Sequence, residues 1–247
     1  MISDGMAEVL HRLHLDGPGD PAPAWARVLG AEGVALTLLV GGARTPEPMW
    51  CHPELSVRFE ELQFTLGEGP GPDTIRTCSA VLEPVLSCVR RDRWPALLPA
   101  AAKLGVNGVC CFPFGLGVPP AGALTVLCDG QRRMDTRRYV AASALAAALT
   151  GAFLDGDLRR HGAGLAVGVP EPPSGLHRAA VHQATGIISV QLGVPLQEAH
   201  LRLRAHAYGS ERPLGEVAED VVARRLRFRD DFDDDVSGPH MPDGGKR

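Results

Sequence analysis

The stretch HGAGLAVGVPEPPSG, residues 161–175, most restricts what this 247-residue chain can become. Glycine and proline are too dense there for a helix interior or a central strand, and the sequence changes character across it. Upstream, helical and strand signals alternate; downstream, only helical periodicity remains. The length suits one or two domains, and the break selects two: residues 1–161, then a linker over 162–174, then residues 175–229. The final RDDFDDDVSGPHMPDGGKR is acidic and then rich in glycine and proline. It reads as a disordered tail over 230–247.

Upstream of the break, Met6–Leu13 and Ala24–Leu29 carry helical spacing. GVALTLLVGG, 33–42, is a β-rich run stopped by a glycine pair. In ELSVRFEELQFTLGEGPG, 54–71, Leu55, Phe59, Leu62 and Leu66 form a helical stripe that the glycines at 67, 69 and 71 end. Glu60 and Glu61 fall beside that stripe and read as its solvent face. AVLEPVLS, 80–87, is strand-like, with Pro84 confining it to an edge or a bulge. Residues 94–105 form a short helix closed by glycine, and two strands follow in GVCCFPFGLG and AGALTVLCDG. A long helix spans 135–161, with a stripe through Tyr139, Ala142, Leu145, Ala146, Leu149 and Phe153. The first domain is therefore α+β, a mostly antiparallel sheet with helices on it.

Downstream come three helices with very short connections. The first spans about 175–192, with Ser174 placed to cap it and Gly193 to end it. The second runs from about Pro195 to Tyr208, striped by Leu196, Ala199, Leu203 and Ala207. The third starts near Pro213 with Leu214, Val217, Ala218, Val221, Val222 and Leu226 on one face and arginines toward its end. About 50 residues of helix are marginal alone, so the bundle is expected to dock on something. In its first helix, Gly186 costs roughly 1 kcal/mol relative to alanine. That glycine marks close approach of either another helix or a ligand.

Charge is unevenly spread. Residues 175–229 hold 8 arginines against 5 acids, while 230–247 hold 6 acids against 2 bases. Such asymmetry is compatible with nucleic-acid contact. Arg202 and His206 are one helical turn apart, and Arg204 and Arg212 lie close by; clustered guanidinium groups suit phosphate because each fork engages two oxygens. Catalytic signatures are missing: there is no GxSxG, no HExxH and no metal-ligand spacing, so an enzyme is not expected. GEGPG has no Lys–Ser/Thr after it and no strand before it, which removes the phosphate-loop reading. Of the six cysteines, Cys88, Cys110, Cys111 and Cys128 sit in apolar runs and read as buried free thiols. The amino terminus shows no secretory pattern and no apolar stretch approaches membrane-spanning length, so a cytoplasmic, membrane-free protein is expected.

The run HQATGIISVQLGVPLQEAHLRLRAHAYGSERPLGEVAEDVV, 182–222, resembles the ANTAR domain of bacterial transcription antitermination regulators. Gln183, Ala184 and Gly186 match its first helix; Glu198, Ala199, Leu203, Arg204 and Ala207 its second; Leu214, Val217, Ala218, Val221 and Val222 its third. The sequence departs from the family in two places. Thr185 stands where many members carry lysine, and Pro195 replaces the usual capping side chain. EELQFTLGEGPGPD, 60–73, with the later RWP turn and two strands, resembles the GAF family of sensory domains.

The resemblance implies a homodimeric RNA-binding regulator in which a GAF-like domain governs an ANTAR bundle that grips paired stem-loops in leader or intergenic transcripts. The long helix before the linker would couple the two domains. Candidate RNA-contacting residues are Gln183, Thr185, Gly186, Arg202, Arg204, His206 and Arg212. A small-molecule ligand at the GAF-like domain is compatible with this reading, but no residues assignable to haem, bilin or cyclic nucleotide stand out, and no cofactor is expected. The alternative is a non-catalytic protein-interaction or dimerisation module whose bundle no longer holds RNA.

Overall fold

The computed structural model describes residues 4–12, 20–40, 45–131, 134–155, 173–210 and 212–229. The chain divides into two compact units, Met1–Pro170 and Glu171–Arg247. Most of the expected linker, and the whole of the expected tail, lie outside the described residues.

The amino-terminal unit is α+β. Its helices are α1 (Asp4–Arg12), α2 (Ala22–Leu29), α3 (Glu54–Leu66), α4 (Pro70–Thr77), α5 (Leu97–Leu104) and α6 (Thr136–Leu154). Its strands are β1 (Gly33–Val40), β2 (Thr45–His52), β3 (Val81–Glu83), β4 (Gly108–Phe114) and β5 (Gly122–Cys128). They form one antiparallel sheet in the order β2-β1-β5-β4-β3. Every residue of β5 is buried, as suits a strand with neighbours on both edges and helices on both faces. Gly122 has to be glycine: a Cβ there would meet the Thr37 carbonyl oxygen of β1 at 2.0 Å.

Strand alternation sends residues to two cores. On one face, Val34, Leu36, Leu124 and Val126 pack with Trp25 of α2 and Leu145 and Leu149 of α6. On the other, Val109, Cys111 and Leu127 pack with Phe59, Trp94 and Leu97. α6 starts where expected, with Asp135 accepting the Arg138 backbone N–H at 2.7 Å. As described it ends at Leu154 with Asp155 as its C-cap, and residues 156–161 of the expected helix lie outside the described residues. Tyr139 of its expected buried stripe is largely exposed, leaning on Phe112 with ring centroids 5.7 Å apart.

Several expectations need correction. β2 was not foreseen, because Pro46 and Pro48 each remove a backbone donor; the strand tolerates them by lying at the sheet edge, with a register shift at Leu36/Thr37. The glycines at 67, 69 and 71 mark a corner between two helices. Gly67 closes α3 with φ 66°, and Pro70 opens α4, where a missing N–H costs nothing. Cys88 is exposed, whereas Cys110, Cys111 and Cys128 are buried.

Glu60 is the largest departure. It is 6% exposed and lies inside the unit, not on its surface. Its carboxylate accepts hydroxyl bonds from Thr37 of β1 and Thr125 of β5, both 2.8 Å, and an amide bond from Gln63 at 3.0 Å. Gln63 Oε1 in turn accepts the Gly71 N–H at 2.8 Å, tying α4 to the same network. The acids of GEGPGPD are likewise structural. Glu68 accepts the N–H groups of Ala96 and Leu97, both at 2.7 Å, and so caps α5 from 28 and 29 residues away. Asp73 accepts the Trp94 indole N–H at 3.2 Å and pairs with Arg76 at 2.7 Å. Arg93, which also pairs with Glu83, lies over the Trp94 ring.

The carboxy-terminal unit holds three helices: α7 (Pro173–Leu192), α8 (Leu196–Gly209) and α9 (Leu214–Val222). Val181, Ala184, Ile188 and Leu192 of α7 are buried, as are Ala199, Leu203 and Ala207 of α8 and Leu214, Val217, Ala218 and Val221 of α9. α7 is described from Pro173, so Ser174 falls within its span. α9 stops at Val222, so Leu226 and the arginines at 224, 225, 227 and 229 lie past the helix. Arg224 takes a left-handed conformation, φ 60°, that turns the chain away.

Candidate nucleic-acid interface

The α7–α8 corner is built by local rules. Gly193 adopts φ 64° to end α7, the Val194 N–H bonds Ser189 O at 3.1 Å, and the Ser189 hydroxyl donates to Val194 O at 2.6 Å. Pro195 then opens α8 with no side-chain cap, as the sequence implied. This corner sets two helices side by side, and the candidate residues fall into three groups.

The first group lies on α7 and on the part of α8 that meets it through Thr185 and His200. His182 and Gln183 are exposed on α7, and Gly186 follows one turn later. A Cβ on Gly186 would meet nothing within 4 Å. The glycine is therefore no helix-packing point inside the described unit; it leaves bare backbone open to an outside partner. Thr185 is not on this exposed face. It is 8% exposed, its hydroxyl donates to Val181 O at 2.7 Å, and it lies 3.4 Å from His200 Nδ1. A residue so placed is part of the packing between the helices, and its exchange for lysine concerns the seam's interior as much as its charge.

Arg204 of α8 completes this group. Its guanidinium is partly buried, and burial pushes its pKa below the ordinary arginine value without removing the charge. Among the described residues its buried Nε has no hydrogen-bond partner. A cationic donor withdrawn from water and left unpaired is costly, unless a ligand supplies the acceptor. His200, one turn before Arg204, escaped the sequence reading. The only signal for it is the i, i+4 spacing to Arg204.

The second group is Arg202 and His206. Arg202 pairs with Glu198 one turn back at 2.7 Å, and His206 meets Phe228 edge-on with centroids 5.3 Å apart. The Phe228 N–H bonds Gln191 Oε1 of α7 at 3.1 Å, folding the segment past α9 onto the bundle. The third group is Arg212, which pairs with Asp220 at 2.7 Å; Arg225 joins from the other side at 2.6 Å. Together they hold the Asp220 carboxyl below the usual range. Arg202 and Arg212 thus spend much of their charge within the chain, while Arg204 does not.

His200 yields a pH prediction. Burial first, then Arg204 and His182, lower its pKa to about 4 from 6.5. Between those values the unfolded chain binds a proton that the folded unit refuses, so stability falls as pH drops through that window and is flat above it. At pH 5 the loss is on the order of 2 kcal/mol. Urea unfolding followed by helical circular dichroism should show it, and His200→Asn should flatten the pH dependence; an unchanged profile in the variant would refute the assignment.

Among the described residues, no group of three or more His, Cys, Asp or Glu is placed to hold a metal ion, and no helix is long and apolar enough to cross a membrane. The chain is similar in structure to the GAF domain of an Acinetobacter phosphoenolpyruvate-protein phosphotransferase, with 15% identity over 68% of this chain and 96% of that one, TM-score 0.48. It is also similar to the GAF domain of the corresponding Coxiella burnetii protein, with 15% identity over 65% and 99%, TM-score 0.47. Among curated proteins, no sequence matches it. The ANTAR domain model matches residues 176–222, which span α7, α8 and α9 from just inside the first helix to the last residue of the third. The chain carries an ANTAR domain, and α7 and α8, which hold the candidate residues up to His206, belong to it.

Proposed function

We propose that this protein is a transcription antitermination regulator whose ANTAR domain binds paired stem-loops of nascent RNA along the α7–α8 seam, under control of a GAF-like amino-terminal unit. The observation that carries the reading is Arg204 of α8, a partly buried cation with an unpaired Nε–H; on α7, Gly186 leaves backbone open. RNA loops expose unpaired bases whose edges accept hydrogen bonds and whose faces stack on guanidinium planes. Arg204 provides both the donor and the plane. Gln183 and His182 add exposed polar groups one turn from Gly186. Thr185 acts from inside, orienting His200 rather than touching RNA, while Arg202, His206 and Arg212 contribute at the margins. A homodimer would present two such seams to two loops, and small-molecule binding at the amino-terminal unit would set how they are presented.

The test is binding of the full chain to an RNA with two adjacent short stem-loops, by fluorescence anisotropy across a salt series. The logarithm of the association constant should fall linearly with the logarithm of salt, at a slope of about −0.7 to −0.9 per phosphate engaged. The ion pairs already made by Arg202 and Arg212 favour a second reading, a bundle that contacts protein instead. In that case no salt-dependent RNA binding is seen, and the chain dimerises with the basic residues of 175–229 shielded.

A further inference from the structure

We infer that Cys110 and Cys128 form a hydroperoxide-responsive dithiol on the sheet of the amino-terminal unit, with Cys128 attacking, Cys110 resolving and Arg138 positioning the oxidant. The two residues occupy adjacent strands, β4 and β5. Cys110 pairs with Val126, two residues before Cys128, so the cysteines are diagonal neighbours on one sheet face. Their sulfurs lie 4.0 Å apart.

The surroundings make the two sulfurs unequal. Cys110 is wholly buried, while Cys128 is 9% exposed and lines a hollow of about 10 Å³ with Leu29, Gly30, Met134 and Arg138. Such a hollow admits one water-sized molecule, and hydrogen peroxide is little larger. Gly30 keeps it open: with φ 58° and no side chain, it leaves Arg138 a place that a Cβ would contact at 3.3 Å. Charge acts in the same sense. The hydrogen bond shared with Cys110 and, more weakly, the Arg138 cation lower the Cys128 pKa, against burial, Asp129 and Glu32. Sharing its proton with Cys128, and burial, push Cys110 up. Cys111 points to the opposite face, beside the Thr125 hydroxyl, and burial pushes its thiol up as well. It is a bystander.

The chemistry balances as follows. The Cys128 thiolate attacks one oxygen of the peroxide; an S–O bond forms as the O–O bond breaks, and the departing oxide takes a proton, leaving as water or an alcohol. Cys128 is then a sulfenic acid. Cys110 gives up its proton and its sulfur bonds to Cys128 as the S–O bond breaks, releasing water. Two electrons pass from the sulfur pair to the peroxide. Closing a disulfide brings the sulfurs together by about 2 Å, from diagonal positions that lie farther apart than facing ones. A strained disulfide is readily reduced, so the modification is reversible by thiols.

The experiment treats the full chain with hydrogen peroxide, blocks remaining thiols under denaturing conditions, and maps chymotryptic peptides; cleavage after Phe114 separates Cys110 and Cys111 from Cys128. The expected product is a Cys110–Cys128 link, present also in Cys111→Ser and removed by dithiothreitol. In Cys110→Ser, Cys128 should stop at a sulfenic acid that dimedone traps. Arg138→Gln should slow the reaction several-fold. A Cys111–Cys128 link, or oxidation confined to the half-buried Cys51 and Cys78 or the exposed Cys88, overturns the proposal. Tandem fragmentation of the linked peptide from the wild-type chain, breaking between Cys110 and Cys111, decides even if a cysteine variant fails to fold.

Discussion

Replacing Arg204 by methionine is expected to weaken RNA binding by about 10- to 100-fold, the loss of one charge-assisted hydrogen bond worth roughly 1.5–3 kcal/mol, while leaving thermal stability unchanged or raised. The two halves of this result come from one observation. The guanidinium is partly buried, its Nε has no partner among the described residues, and folding therefore gains nothing from it. Methionine keeps the packed stem and removes the buried cation. A residue retained for packing would show the opposite: stability falls and affinity, measured on the folded fraction, stays. Anisotropy titrations and a melting curve on the same samples separate the cases. Arg202→Met is the control. Its charge is spent on Glu198 at an exposed site, so both quantities should move little.

Glu60→Ala should be the most damaging single change in the amino-terminal unit. It strips the acceptor from Thr37, Thr125 and Gln63 at once, and all three are buried. Each orphaned buried polar group costs about 1–3 kcal/mol, and the truncation leaves a cavity besides. A loss of about 4–5 kcal/mol is expected, close to the whole stability of a marginal domain. Glu60→Gln retains one oxygen of the same shape, and both threonine hydroxyls can rotate, so its cost should be less than half as large. Urea unfolding followed by the fluorescence of Trp25, Trp50 and Trp94, all of this unit, measures both. Equal losses for Ala and Gln would refute the acceptor role.

The α+β character, the β4–β5 pair, α6 and the three carboxy-terminal helices were legible, because apolar periodicity and Gly/Pro punctuation act locally and the sequence shows them directly. What stayed hidden was set by distant partners. Glu60 looks like a solvent-facing acid until Thr37 and Thr125, 23 and 65 residues away, are brought beneath it. Two prolines argue against a strand at 45–52, and only its place at the sheet edge excuses them. In the candidate site, the charged stripe of α8, with Arg202 and His206 one turn apart, could be read from spacing. The burial of Thr185 could not, since packing against a second helix decides which polar residue of α7 turns inward. The pairing of Arg212 with Asp220, likewise, depends on how α9 returns.

The strand order has a consequence for how the chain is made. β1 emerges early from the ribosome and finds β2 at once, but its other edge pairs only with β5, whose residues 122–128 are synthesised some 90 positions later. Until then a run of eight mostly apolar residues, GVALTLLV, presents an open hydrogen-bonding edge. Closure of the sheet is long-range and correspondingly slow. The nascent amino-terminal unit therefore has a waiting period, and the burden of preventing wrong strand partners in that interval falls on the speed of translation and on whatever holds unfolded chains in the cell.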